Sequence, residues 1–405
     1  MAEHLSLQEE LRAAPRRDVQ SRYKLLNNLE RVLQWTETGF AFPILVNMTL
    51  TNRCSHRCPL CTSKAYLDDR TMPTADAKRI VAEVARLGAK AIGLGGGGDP
   101  TCHPDLAEVI DFIGEQGLEV SLNTNGQLLD PAIIAAAVRR CTWIRVSLDA
   151  EGPATFKKTH GLGEEAYAQV VGNIRALVAE KRRTGSEVTL GITYLLGPHT
   201  VAGAVQATRQ VRDLGVDYMR LRPFFEWDRQ EAQPGAPGDL VELGKRPSGS
   251  RAYRTRERES FQEEMMAQLE RCEALSTEAF SASFPKERAP TDGAPPVRDH
   301  RACYVHHFET VVAADLEVYP CCMLEDDAKY SLGSLRGRTF EELWRSEGRR
   351  QAYGRIDFSD CPNPCMLEKH NQLLWELRHD ALRPGTRVVE LLAASRTRFP
   401  HANFL

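Results

Sequence analysis

Short apolar runs alternate with amphipathic stretches from residue 42 to about residue 225. Apolar runs bounded by turn residues predict buried strands, and apolar residues at helical spacing predict helices. Six strands are predicted, at 44–50, 89–94, 118–123, 143–148, 187–194 and 217–222. Helices are predicted at 74–87, 104–116, 131–140, 164–183, 201–214 and 257–276. Such alternation indicates parallel strands with right-handed crossovers, so we predict an α/β fold with a partial (β/α)6 TIM barrel.

The flanking regions have different patterns. The first 40 residues carry one apolar stripe at helical spacing, which predicts a helix packed on the main domain. The polar, Gly- and Pro-containing segment 227–257 follows the sixth strand and predicts a lid over an active site. A β-hairpin near 310–319 and a helix near 340–344 predict a small C-terminal domain. The predicted domains are therefore a helical segment at 1–41, a barrel domain at 42–282, a Pro-rich linker at 283–300, a hairpin and helix domain at 301–377 and a tail at 378–405.

Composition narrows the class of protein. The 405 residues are 42% hydrophobic and 26% charged, which is ordinary for a globular chain. A net charge of −3 gives no reason to expect a nucleic-acid or anionic-membrane partner. No apolar run approaches the roughly 20 residues that span a bilayer, and the start lacks the features of a signal peptide. We therefore expect a cytoplasmic protein whose eleven cysteines are reduced and available as metal ligands.

Three of these cysteines lie on one short loop. Cys54, Cys58 and Cys61 have C-x3-C-x2-C spacing and directly follow the first predicted strand. Thiolates suit soft metal centres, above all iron–sulfur clusters, and three ligands on a four-iron cluster leave one iron open. A structural zinc site, or three unrelated buried cysteines, are the alternatives.

The cysteine loop resembles the cluster-binding loop of radical S-adenosylmethionine (radical SAM) enzymes. That resemblance implies a [4Fe–4S] cluster whose open iron binds SAM, and cleavage of SAM to a 5′-deoxyadenosyl radical that abstracts a hydrogen atom. Leu60 stands where the family often has an aromatic residue that contacts adenine. The resemblance also implies SAM-binding positions at the ends of the later strands. They are Gly96, Gly97, Gly98 and Asp99 after strand two, Asn123 after strand three, Ser147 and Asp149 after strand four, and Arg220 in strand six.

A second set of cysteines follows the linker. Four thiolates, from Cys303, Cys321, Cys361 and Cys365, could ligate one further cluster, with Cys322 as an alternative to Cys321. Their order resembles the twitch domain, the short form of the SPASM extension of radical SAM enzymes, which brings the expected number of [4Fe–4S] clusters to two. Leu316 stands in the hairpin turn where the family usually has glycine, and the closing pair is C-x3-C where C-x2-C is common. A four-cysteine zinc site is the alternative.

The substrate is inferred less directly. The short N-terminal segment and the cysteine count favour hydrogen abstraction from a small polyhydroxylated metabolite, such as a sugar, aminocyclitol or nucleoside, ending in oxidation, deoxygenation or epimerisation. Modification of a ribosomal peptide is the alternative, and a non-enzymatic iron–sulfur or zinc protein is the rival from another class. A flavodoxin or ferredoxin-type protein is the expected electron donor. No catalytic residue is assigned, although Cys141 could donate a hydrogen atom in an epimerase.

Overall fold

A computed structural model gives the fold of most of the chain. It describes residues 22–59, 61, 63, 67–223, 256–284, 300–325, 327–357, 361, 365–379 and 401–404. The predicted lid at 227–257 and the predicted linker at 283–300 lie almost entirely outside the described residues, as does Leu60. The predicted domain boundaries stay predictions.

One sheet of ten strands organises the described residues. The strands are β1 Leu45–Met48, β2 Ala91–Leu94, β3 Glu119–Thr124, β4 Cys141–Ser147, β5 Thr189–Leu196, β6 Tyr218–Pro223, β7 Ser281–Ser283, β8 Glu309–Val312, β9 Glu317–Tyr319 and β10 Gly333–Ser334. Their order is β10-β9-β8-β1-β2-β3-β4-β5-β6-β7. The strands from β8 to β7 pair in parallel, and β9 and β10 are antiparallel. The open, mixed α/β sheet confirms the predicted partial barrel.

Eleven α-helices are described. They are α1 Leu29–Thr38, α2 Thr74–Arg86, α3 Leu106–Glu115, α4 Pro131–Arg140, α5 Pro153–His160, α6 Glu164–Thr184, α7 Ala204–Leu214, α8 Arg256–Glu273, α9 Phe340–Trp344, α10 Glu347–Tyr353 and α11 Glu368–Arg378. Most of the helices between β1 and β7 begin after a strand and return to its parallel neighbour. Helix α5 and strand β7 have no counterpart in the predicted elements, because each is short and lacks a periodic apolar pattern of its own.

Strand residues alternate between two environments. Val46 and Met48 of β1 belong to the large core under the helices, whereas Leu45 points to the opposite, inner face. There Leu45 and Trp143 pack with Phe404 from the C-terminal segment, near the amino-terminal ends of the strands. The chemistry must therefore lie at the other end, where the strands finish.

The N-terminal helix contacts both the barrel and the C-terminal region. Arg31 of α1 donates to the carbonyl of Gly88 in the barrel at 3.1 Å. Trp35 of α1 lies 5.0 Å from the ring of Tyr304 and 5.6 Å from that of Phe308, measured between centroids. Val32 is buried in the same cluster, whereas its apolar neighbour Leu33 is 50% exposed. Helix α1 therefore packs on the C-terminal cysteine region. The sequence could not reveal this, because an apolar stripe shows which face of a helix is buried but not which element covers it.

The C-terminal hairpin continues the barrel sheet. Strand β8 pairs in parallel with β1, with Leu45 opposite Glu309. Leu316 occupies the turn with a φ of 71°, the left-handed region that favours glycine. Its side chain is buried in the main core, and that burial offsets a backbone cost of about 1–2 kcal/mol.

Candidate functional site

The cysteine loop leaves the carboxyl end of β1 and is closed at its base. Thr51 forms an isolated bridge with Thr71, and their hydroxyl oxygens lie 2.8 Å apart. The amide of Asn52 donates to the carbonyl of Arg70 at 2.8 Å. These contacts fix both ends of the loop, so Cys54, Cys58 and Cys61 project from one edge of the sheet.

The thiols of this loop are mutual neighbours. The pKa of Cys54 is raised to about 11, chiefly by burial. The hydrogen bond from the amide of His56 opposes this shift, and the charges of Asp99, Cys102 and Cys61 add to it. Burial also raises the pKa of Cys58, followed by the charges of Cys61 and Cys54. Such a group of thiols holds its protons until a metal displaces them. Three close, partly buried thiols fit the three-cysteine end of a [4Fe–4S] cluster.

Two buried histidines support Cys58. His160, the last residue of α5, has Nε2 at 3.0 Å from the carbonyl of Leu148, so Nε2 carries the proton and donates. Its Nδ1 lies 3.4 Å from Cys58 Sγ and 3.2 Å from His56 Nδ1. Burial, with the charge of His56, lowers the pKa of His160 to about 3. A neutral His160 therefore holds the Cys58 side chain in place. The sequence offered no signal for this residue, because α5 was not predicted.

Close packing requires glycine at two positions after β2, Gly96 and Gly98. Gly96 has a φ of 109°, and a Cβ there would overlap the hydroxyl of Thr49. A Cβ on Gly98 would overlap the carbonyl of Arg53, at the start of the cysteine loop. The predicted SAM-binding glycines thus lie against β1 and its loop, at the edge where a cofactor would bind.

The carboxylate of Asp99 accepts hydrogen bonds from residues that follow β2 and from residues at the end of β3. Asp99 is 5% exposed, and its carboxylate accepts from the amide of Asn125 at 2.6 Å and from the hydroxyl of Thr124 at 2.9 and 3.1 Å. The amide and hydroxyl of Thr101 also donate to it. This carboxylate therefore ties the end of β2 to the end of β3, and its predicted contact with SAM stays a prediction.

The remaining predicted SAM residues share the same edge. Asn123 is exposed beside Gly95, Ser147 ends β4, and Arg220 of β6 is 6% exposed. Asp149 has a φ of 43°, and its Oδ1 accepts from the amide of Leu195 at 2.6 Å. Burial raises the pKa of Asp149 to about 7, although this hydrogen bond and the charge of Arg222 oppose the shift.

The four predicted auxiliary ligands come together from distant segments. Burial raises the pKa of Cys321, and so do the charges of its neighbours Cys322, Cys365, Cys303 and Cys361. Burial raises the pKa of Cys303, followed by Cys365 and Cys361. The second cysteine set therefore forms one thiol cluster, next to the N-terminal helix.

Cys322 has different surroundings. It packs against Val311, Ala313 and Tyr319. After burial, the largest influences on its raised pKa are the carboxylates of Glu309 and Glu325, ahead of Cys365. Of the two adjacent cysteines, Cys321 is the better placed to act as the ligand.

The distances between the auxiliary thiols can be compared with those in a four-cysteine zinc site. A tetrahedral zinc with Zn–S bonds of about 2.3 Å places its sulfur atoms roughly 3.8 Å apart. Within the described part of the chain, the one group of three or more ligand atoms that lie within 4.8 Å of one another is His56, Cys58 and His160. The auxiliary thiols are wider apart than a single zinc requires, which fits a larger cluster.

Other cysteines fall outside both sets. Cys141 begins β4 in the helix-facing core, at the end of the strand opposite to the cysteine loop. This position is remote from the end of the sheet that carries the cysteine loop, and the suggestion that Cys141 donates a hydrogen atom stays a prediction. Cys102 lies beside Cys54 in a surface cavity of about 840 Å³, which Arg53, Arg57 and Leu128 also line.

Comparison with protein families gives two matches. The radical SAM superfamily matches residues 48–201, and the SPASM iron–sulfur cluster-binding domain matches residues 303–367. These matches confirm the resemblance drawn from both cysteine sets, and with it iron–sulfur clusters and SAM as cofactors. None of the described helices is long and apolar enough to cross a bilayer.

Individual relatives match in part. Mycofactocin maturase MftC of Mycobacterium ulcerans is 29% identical over 140 residues, 34% of this chain and 38% of that protein. A PqqA peptide cyclase of Methylobacterium nodulans is 40% identical over 177 residues, 43% of this chain and 44% of that protein. Both matches span less than half of the relative's length.

A solved structure shares the fold. Streptococcus suis SuiB bound to precursor peptide SuiA superposes with a TM-score of 0.55 and 14% identity, over 83% of this chain and 72% of that chain. With a peptide cyclase and a peptide-bound structure among the relatives, the predicted small polyhydroxylated substrate is wrong. That prediction depended on the length of the N-terminal segment and on the cysteine count, neither of which determines the substrate.

Proposed function

This chain belongs to the radical SAM superfamily and carries a C-terminal SPASM iron–sulfur domain, and from that premise we propose that it modifies a ribosomally made peptide. The proposal is supported above all by the 40% identity to a PqqA peptide cyclase over 177 residues. When bound, a [4Fe–4S] cluster with SAM supplies the electron and the carbon radical that removes a hydrogen atom from the substrate.

The arrangement of the two cysteine sets suits an extended substrate. The loop of Cys54 follows β1, and the hairpin that ends at Cys321 begins with β8, the strand paired to β1. Across the interior, Arg222 of β6 donates to the sulfur of Met366, next to Cys365, at 3.7 Å. A substrate that lies across the strand ends is thereby in reach of both cysteine regions, and a peptide has that length.

The roles of the chain's own residues follow from their positions. Cys54, Cys58 and Cys61 would hold the SAM cluster, with His160 fixing Cys58. Cys303, Cys321, Cys361 and Cys365 would hold the auxiliary cluster. The apolar cluster of Phe404, Trp143 and Leu45, near the amino-terminal ends of the strands, would limit the access of water from that side.

An electron donor is part of the proposal. Arg53 and Arg57 are exposed beside the cavity that Cys54 also lines, and Leu128 there is 41% exposed. Basic side chains around an apolar residue suit the acidic face of a flavodoxin or ferredoxin-type protein. Docking there would bring the donor next to a cluster ligand.

The test is substrate-dependent SAM cleavage. Anaerobically reconstituted protein is incubated with reductant, SAM and synthetic peptides encoded by short reading frames flanking its gene. We expect one peptide to raise 5′-deoxyadenosine formation at least tenfold and to change in mass. Cys54→Ala, Cys58→Ala and Cys61→Ala should each abolish both signals, because three ligands on one cluster have no redundancy. Turnover of sugars, aminocyclitols or nucleosides with no response to any peptide would refute the proposal.

A further inference from the structure

We propose that His56, Cys58 and His160 form a site for one zinc ion, which the chain binds before its SAM cluster is assembled. The ligands would be two imidazole nitrogens and one thiolate, with a fourth position open to water. The inference does not depend on the class of substrate. Because Cys58 is also a predicted cluster ligand, zinc and the SAM cluster would exclude one another at this residue.

The three side chains have the spacing of a tetrahedral zinc site. His160 Nδ1 lies 3.2 Å from His56 Nδ1 and 3.4 Å from Cys58 Sγ. Zinc bonds of about 2.0–2.1 Å to nitrogen and about 2.3 Å to sulfur place such atoms roughly 3.3 and 3.6 Å apart. The ligand atoms of all three residues lie within 4.8 Å of one another. One ion can therefore reach all three with small movements of the side chains.

The surrounding packing holds both rings in the position that a metal needs. His56 is 1% exposed and His160 is 3% exposed. The ring centroid of Phe156 lies 5.7 Å from that of His56 and 4.3 Å from that of His160. His160 Nε2 donates to the carbonyl of Leu148 at 3.0 Å, so Nδ1 carries no proton and its lone pair is available to a metal. Metal-binding histidines commonly donate their other ring nitrogen to a carbonyl in this way.

The surroundings of His56 supply an independent reason for a metal. Since His160 Nδ1 has no proton, His56 Nδ1 donates to it in the metal-free chain, and His56 Nε2 is then an acceptor. Gln127 is the polar side chain beside His56, yet within the described residues neither His56 Nε2 nor Gln127 Oε1, both buried, has a hydrogen-bond partner. A zinc ion on His56 Nδ1 places the proton on Nε2, which can then donate to Gln127 Oε1. Metal binding thus satisfies two buried polar atoms together.

A structural contact without a metal is the competing explanation. In that case the two histidines only support Cys58 through packing and hydrogen bonds. Zinc binding separates the two explanations once the other thiols of the chain are removed or occupied. The double variant C54S/C61S serves this purpose, because it lacks two of the three predicted SAM-cluster ligands and keeps the proposed zinc site. Its auxiliary cysteines are loaded with iron before zinc is added.

The experiment measures the amount of bound zinc and its affinity. Full-length C54S/C61S protein is reconstituted anaerobically with iron and sulfide, freed of excess metal, and titrated with zinc against a competing chelator. We expect about one tightly bound zinc per chain. His160→Gln in this background should raise the Kd for zinc about 100-fold or more, because the site loses one of its three protein ligands. Zinc held elsewhere is common to both proteins and does not enter the comparison.

His103→Gln in the same background is the matched control. His103 is also a buried histidine, but its ring nitrogens already pair with the carbonyl of Met72 and the amide of Asp105. Its replacement should change the Kd by less than about twofold. Equal zinc affinity with and without His160 would overturn the proposal, and so would a folded double variant that binds no zinc. If circular dichroism shows that His160→Gln does not fold, His56→Gln replaces it with the same expectation.

The wild-type protein tests whether Cys58 is shared. Protein that carries zinc and an iron-loaded auxiliary site is supplied anaerobically with further iron and sulfide, and both metals are measured over time. We expect one zinc to leave as about four irons enter, because one thiolate cannot hold both centres in their separate geometries. Zinc retained beside about eight irons per chain would overturn the proposal, which assigns Cys58 to both.

Discussion

Two adjacent thiols, Cys321 and Cys322, show how strongly surroundings separate neighbouring residues. Cys321 lies among the thiols of Cys303, Cys361 and Cys365, whereas Cys322 packs on an apolar group beside two carboxylates. Carboxylates disfavour a thiolate next to them, and clustered thiols suit shared iron. At the scale of single residues, the surroundings of the two thiols therefore favour Cys321 over Cys322 as the predicted ligand.

Serine substitutions test this selection. We expect the wild type to hold about eight irons per chain after anaerobic reconstitution, Cys321→Ser about four and Cys322→Ser about eight. Iron and acid-labile sulfide are measured on all three. A Cys322→Ser protein with half the iron beside a fully loaded Cys321→Ser protein would reverse the assignment, and about four irons with one zinc in the wild type would restore the zinc alternative.

At the scale of elements, Asp99 connects three parts of the cofactor edge. Its side chain binds the end of β3 through Thr124 and Asn125, and its amide donates to the carbonyl of Arg53 at 2.8 Å. Strand β2, strand β3 and the cysteine loop are thereby held in one arrangement. A short acidic side chain suits this connection, because its carboxylate lies close to the backbone.

Asp99→Asn should destabilise the protein. The new amide group would face the backbone N–H of Asn125, so one buried donor would lose its acceptor. We expect the free energy of unfolding of the metal-free protein to fall by about 1–3 kcal/mol, measured by urea unfolding followed by circular dichroism. Asp69→Asn, at a fully exposed side chain, is the control and should change it by less than about 0.5 kcal/mol. Equal midpoints for the two variants would contradict this role.

At the scale of the whole molecule, one sheet carries both cysteine sets, and Cys54 lines a surface cavity. Arg53 is exposed there, 3.8 Å from the exposed carboxylate of Asp69. An exposed ion pair of this kind contributes little to stability, so Arg53 is free to serve a partner without cost to the fold.

Charge reversal tests the docking of an acidic donor. Arg53→Glu should slow SAM cleavage driven by reduced flavodoxin about tenfold, most clearly at low salt, because it removes attraction and adds repulsion. Cleavage driven by dithionite should be unchanged, since that small reductant needs no docking surface. Arg209→Glu, exposed on α7, is the matched control. Equal slowing with both reductants would indicate damage to the cluster rather than lost docking.

Local patterns determined much of this protein. The strand and helix alternation predicted six parallel strands and the partial barrel, because periodicity reports which residues face a core. The cysteine spacings identified both cluster regions, because ligands for one cluster must come from a short loop or a defined set of turns. Neither inference needed contacts between distant segments.

Tertiary structure alone decided the rest. The pairing of β8 with β1, the packing of α1 on Tyr304 and Phe308, and the approach of Glu325 to Thr49 join segments separated by more than 200 residues. Such contacts depend on how the formed helices and strands pack together, and a short stretch of sequence does not specify the distant segment that it contacts. The same reason explains why the surroundings of Cys141 and Cys322 became visible only in the folded chain.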